Sequence, residues 1–192
     1  MRRNPNPMME EADYLSEYEH RLQDGLVRLC TSHGMMGGVL LENDDIECKF
    51  TESLAKPYLT DAMREYRQYP EAAVAWAGYL GMAVAKLWDA DWQAYQQVVY
   101  ANLLGPRGFD DMDEHIVQHV LGYALDSEPA RRIADILSAC AAEALSLIRH
   151  EHIEPQSPRA YYVFARTVQV LYRIGASIEL FLLGYKLERL VP

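Results

Sequence analysis

An all-α bundle of six to seven helices is the fold this sequence predicts, and three observations predict it. Two long segments, about 70–88 and 158–190, are apolar on most sides, which a helix tolerates only when it is packed from several directions. Other segments carry a single apolar stripe at helical spacing, as expected of helices that shield a centre. Helix punctuation recurs between them, with Ser127-Glu128-Pro129 and Ser157-Pro158 as starts and Gly34 as a stop.

Taken in order, residues 1–7 form a polar Pro/Asn tail that is expected to be disordered, and 8–192 form a single helical domain. Helix one runs from Met8 to His33, with Leu15, Tyr18, Leu22, Leu26 and Leu29 as its inward stripe. In 39–50, Ile46, Cys48 and Phe50 alternate with Glu47 and Lys49 after an Asn43-Asp44-Asp45 turn, which predicts a short β-hairpin, the alternative being a loop over the bundle. Thr51 or Ser53 caps helix two, which ends at Tyr69, with Pro57 near its start. Pro70 opens the Ala- and Gly-rich helix three, whose small residues permit close backbone approach. Asp89 or Asp91 then starts a further helix to Leu104, and whether 70–104 is one helix or two stays open. Gly105-Pro106-Arg107-Gly108 is a break. Helix five follows Asp110-Asp111 and runs to about Leu125. Helix six runs from Ser127 to near His152, burying Ile133, Ile136, Leu137, Cys140 and Ala144. The last helix starts at Ser157-Pro158.

Charge narrows the function classes. The net charge is −10, yet residues 131–192 carry +2 and the remainder −12. An acidic surface repels phosphate backbones, so general nucleic-acid binding is disfavoured. Three cysteines without a CxxC pair argue against a disulfide framework or zinc knuckle and for a reducing compartment. The longest uncharged apolar run, Ala72–Ala85, is short of the ~20 residues that span a bilayer. The expectation is therefore a cytoplasmic protein with no membrane contact. No phosphate-binding Gly-rich loop, nucleophile elbow, zinc motif or EF-hand loop is present, and no cofactor is implied.

Several constellations are candidate sites. His115 and His119 stand four apart, with Asp111 one turn earlier on the same line, which is the spacing of a metal or small-ligand site; the structural alternative is a boundary pair with Asp111 favouring the helix start and pairing with His115. Arg159, Arg166 and Arg173 repeat every seven residues and form an anion-binding or interface stripe, which the acidic Asp110-Asp111-Asp113-Glu114 cluster would complement within the chain or across a dimer. Glu179 projects from the apolar side of the last helix with Lys186 two turns on, so a structural pair with Lys186 or with a Tyr hydroxyl is expected. Trp88-Asp89-Ala90-Asp91-Trp92 reads as a capped helix junction, or as aromatic faces plus carboxylates for a sugar or cation. Glu17-x-x-His20 points His20 away from the inward stripe, and His150 and His152 sit side by side at a helix end, where they favour the dipole instead of chelating.

Arg28 and His33 have an Arg-x4-His spacing that resembles the active motif of HEPN-type helical ribonucleases; that family carries it late in its bundle, whereas here it ends the first helix. The resemblance implies a phosphate-holding Arg28 and a proton-moving His33. The leading expectation is instead a non-enzymatic helical protein acting through protein contact, most simply as a homodimer. A small-ligand or metal-binding bundle at His115/His119 comes second and a nuclease-like hydrolase third.

Overall fold

The computed structural model describes residues 7–188 and is all-helical, with no strand among the described residues. Its centre is one parallel helix pair, α4 (Pro70–Ala90) and α8 (Pro158–Leu182), so both apolar rods lie in the interior as their composition requires. Their backbones touch. A Cβ built at Gly81 would overlap the carbonyl oxygen of Tyr172, and one built at Gly175 would overlap that of Gly78. Only glycine allows this separation, which lets the flanking Leu80, Val84, Leu171, Ile174 and Ile178 bury completely. Full burial of each such side chain contributes about 1.5–3 kcal/mol.

Around this pair lie α1 (Pro7–Ser32) and α7 (Glu128–His150). Helix α1 runs parallel to α8, tied by Tyr18 and Thr167, whose hydroxyl oxygens are 2.5 Å apart in the core. Its buried face is Leu15, Tyr18, Leu22, Leu26 and Cys30; Leu29 is only half-buried. Gly34 ends it with φ +68°, where the amide of Met35 returns to the carbonyl of Cys30. Helix α7 runs antiparallel to α1 and starts as expected, with the Ser127 hydroxyl accepting from the amide of Ala130.

The hairpin expected at 39–50 does not form. Asn43 is a helix N-cap whose side chain accepts from the amide of Ile46, and Asp44, Asp45 and Glu47 fill a first turn that favours acids. Helix α2 (Asp44–Lys49) passes through a π turn (Phe50–Leu54) into α3 (Ala55–Glu65) as one bent run. The wide turn lies just before Pro57, which has no N–H for the carbonyl of Ser53. Ile46, Cys48 and Phe50 alternate in sequence, but only Ile46 and Phe50, four apart, are buried, and Cys48 faces out. Phe50 stacks on Tyr172, with ring centroids 4.5 Å apart, and the Tyr172 hydroxyl donates to the carbonyl of Ile46 at 2.7 Å. These contacts with α8 hold the segment helical.

Four further boundaries differ from expectation. Residues 70–104 are two helices, one of the two open readings, parted at Asp91, whose side-chain carboxylate caps α5 (Trp92–Gln97) by accepting from the amides of Gln93 and Ala94; α5 stops at Gln97, short of the expected Leu104, and only a 3-10 turn (Tyr100–Leu103) follows. Helix two stops at Glu65 instead of Tyr69. Helix five is a 3-10 turn (Phe109–Asp111), one α turn termed α6 (Met112–His115) and a π turn (Ile116–Val120), closed by Gly122 at φ +80° with the amide of Tyr123 on the carbonyl of Val117. Helix α8 ends at Leu182, because Gly184 at φ +93° turns the amide of Tyr185 back onto the carbonyl of Leu180. The expected tail, apart from Pro7, and the final expected turn from 189 lie outside the described residues. No described helix is long and apolar enough to cross a membrane.

Candidate functional site

Two ends of the central pair carry chemistry that packing alone does not use. At the first, the C-terminal end of α4 meets α2 and α5. Glu179 of α8 is buried there, only 2% exposed, and its Oε2 has no hydrogen-bond partner. Burial pushes its carboxyl up to about 7; the nearby Lys86 ammonium opposes the rise and Asp89 adds to it. The expected pairing with Lys186 does not occur, because α8 ends before the helix can bring Lys186 onto that face, and Lys186 is exposed. The cation beside Glu179 comes from α4 instead. Asp89 accepts from the Tyr185 hydroxyl at 2.6 Å, and Trp88 Nε1 donates to Asp45 Oδ2 at 3.2 Å.

Next to this cluster lies an open groove of about 360 Å³ lined by Asp44, Asp45, Glu52, Cys48, Trp92 and Tyr95, among others. Trp92 stacks on Tyr95 at 5.0 Å between centroids, and the Lys49 ammonium sits 4.9 Å over the Tyr95 ring while donating to the carbonyl of Gln96. The Tyr95 hydroxyl donates to the carbonyl of Asp45. Aromatic faces with carboxylates suit a cationic group, as the Trp-Asp run suggests, but the chain's own Lys49 already occupies Tyr95. The contributions of Cys48, Lys49 and Tyr95 are not visible in the sequence, since α2 and α5 meet only through the fold.

The second end surrounds the first turns of α8. Arg159 pairs with Glu11 of α1 (Nη2 to Oε2 2.5 Å) and lies over the ring of Tyr14, while Tyr66, just past α3, packs edge-on against Phe164 at 4.9 Å. The ends of α1 and α3 therefore flank the start of α8. Five large apolar side chains stay exposed here: Met9, Met63, Tyr69, Tyr161 and Tyr162.

The arginine stripe is consumed within the chain. Arg166 pairs with Glu19 at 2.9 Å, and Arg173 pairs with Glu47 at 2.8 Å while donating to the carbonyl of Leu41. Its partners are acids of α1 and α2 and not the Asp110–Glu114 cluster, because parallel packing sets α1 alongside the stripe. Burial raises the Glu47 carboxyl although Arg173 opposes it. A further polar clamp joins α1 to the end of α7, where Glu151 accepts from Tyr14 at 2.6 Å and Arg21 at 2.7 Å; burial works to raise Glu151, and these two donors together hold it below its ordinary value.

His115 and His119 do meet, with ring centroids 5.0 Å apart, and His115 Nε2 is 3.2 Å from the carbonyl oxygen of Asn102. Asp111 does not join them. Its carboxylate turns back to the amide of Arg107 at 3.1 Å and packs where a Cβ on Gly105 would stand. No group of three or more His, Cys, Asp or Glu side chains that could hold a metal occurs among the described residues. Arg28 and His33 each bond a carbonyl of their own helix, Asp24 and Leu29 respectively, on the exposed side of α1. Neither a family model, nor a curated protein, nor a solved structure matches this chain.

Proposed function

We propose that this protein is a non-enzymatic helical module that works through protein contact, with a second copy of itself as the first partner. One observation carries the reading: Met9, Met63, Tyr69, Tyr161 and Tyr162 are exposed on the elements whose ends meet at the start of α8, with Tyr161 and Tyr162 in ring contact. Exposed aromatic and Met side chains are the composition of interface cores. The acidic groove offers less, because Lys49 already covers the ring of Tyr95 and the Tyr95 hydroxyl already donates to the carbonyl of Asp45. The stripe of Arg159, Arg166 and Arg173 contributes nothing across the interface, since α1 and α2 neutralise it. A cytoplasmic location belongs to the same proposal, supported by the odd number of cysteines.

Sedimentation velocity tests it. The wild-type chain should sediment as a dimer at micromolar concentration, and the double substitution Tyr161→Glu/Tyr162→Glu should give a folded monomer. A wild-type monomer throughout that range would overturn the reading and leave the groove beside Trp92 as the remaining recognition surface.

A further inference from the structure

Cys30 and Cys140 are 110 positions apart in the chain, on α1 and α7, and the fold places their sulfurs 3.4 Å apart. Both are fully buried free thiols, whereas Cys48 is exposed. A disulfide needs the sulfurs at about 2.05 Å, so they must close by roughly 1.4 Å, within reach of a small change in two side-chain torsions. The helices on either side are already in register, because the Tyr14/Arg21–Glu151 clamp fixes the other end of the same antiparallel pair. At 3.4 Å the two sulfurs are in direct contact, with nothing between them. The hydrogen bond between the two sulfurs, together with burial, holds the Cys140 thiol protonated in the closed state, so reaction waits on brief opening of the α1–α7 seam.

We propose that Cys30 and Cys140 form an oxidisable dithiol, a modification site that takes a small peroxide and closes to a disulfide joining α1 to α7. One thiolate, exposed on opening, attacks a peroxide oxygen; the O–O bond breaks, giving a sulfenic acid and hydroxide. The second thiol then displaces the sulfenic hydroxyl as water, forming the S–S bond. In sum the two thiols lose two electrons and two protons, and one hydrogen peroxide becomes two waters. The lock pins the last turn of α1, which the Glu151 clamp leaves untied, and it closes a long loop of chain. It is a reversible device in a reducing compartment, where thiol reductants reopen it.

The test uses the full chain carrying Cys48→Ser, so that crosslinks between copies are removed. Hydrogen peroxide should convert it to a species lighter by about 2 Da, with both remaining thiols lost to titration after denaturation. That species should migrate faster on a non-reducing gel, melt about 5–10 °C higher, and revert with dithiothreitol. Cys140→Ser in the same background should show none of these changes. The inference is overturned if peroxide only adds oxygen mass, or if the mass is unchanged both in buffer and in urea below the unfolding midpoint. It is equally overturned if the 2 Da loss appears only in fully unfolded chains.

Discussion

Gly175→Ala should destabilise the fold by about 3–5 kcal/mol, much of the ~5–15 kcal/mol that holds a typical domain together. Helix propensity alone predicts the opposite sign, because Ala is favoured over Gly in a helix interior by about 1 kcal/mol. The structure decides against propensity. The new methyl group would overlap the carbonyl oxygen, carbonyl carbon and Cα of Gly78, all backbone atoms of α4. Ordinary overpacking costs ~1–3 kcal/mol because side chains give way; here α4 and α8 must separate along their length, and every fully buried contact of the seam is loosened. Gly25→Ala is the matched control on α1. Its Cβ would meet nothing nearer than the Glu143 carboxylate oxygen at 3.9 Å, so the propensity gain should survive and the variant should be as stable as wild type or slightly more so. Urea unfolding of both variants checks the pair of signs.

Glu179→Gln should raise stability at pH 8 by about 2–3 kcal/mol and leave it nearly unchanged at pH 4.5. Burial raises the carboxyl of Glu179 from 4.5 to about 7 in the folded protein, so between these values the folded state binds more protons than the unfolded one. The associated stability is fully present below pH 4.5 and is lost as pH rises through 7. Gln is the uncharged isostere of the protonated form and does not lose it. Two features bound the gain: Lys86 already offsets part of the cost, and the Gln amide brings donors that also need partners. Urea midpoints measured from pH 4.5 to 8.5 should converge at the acid end and diverge at the basic end. Parallel pH profiles for the two proteins would show that Glu179 is not the buried, unpartnered group described above.

Much of the fold was legible because burial writes itself into composition. The segments at 70–88 and 158–190 are greasy around most of their girth and have no other place than the centre. The stripes of α1 and α7 and the caps at Ser127 and Ser157 were equally readable. The hairpin reading failed because Ile46, Cys48 and Phe50 satisfy period two, while the pair Ile46 and Phe50 alone satisfies period four; the stacking of Phe50 on Tyr172, which decides the matter, is remote in sequence. Helix five was overextended for a related reason, since no proline marks Gly122 as a stop.

Site residues were less legible than the scaffold. An i, i+4 rule correctly brought His115 and His119 together, but Asp111 answers to Gly105 and Arg107, whose positions depend on a loop. The heptad of arginines announced a need for acids without saying which; Glu11, Glu19 and Glu47 are supplied by helices that only the packing order sets beside α8. Glu179 was identifiable as an anomaly, although its neighbouring cation, Lys86, comes from α4 across the seam and not from its own helix. Cys30 and Cys140 left no signal at all, because a spacing of 110 residues has no motif.

The claim on which all of this rests is that α4 and α8 form one backbone-close pair in the middle of the molecule. Amide hydrogen exchange on the folded protein tests it most directly. The amides of 77–85 and 168–178 should be the slowest in the chain and exchange only with global unfolding, while 92–103 and 109–121 exchange by local opening. Rapid exchange along either central segment under conditions where the rest of the protein stays protected would contradict it.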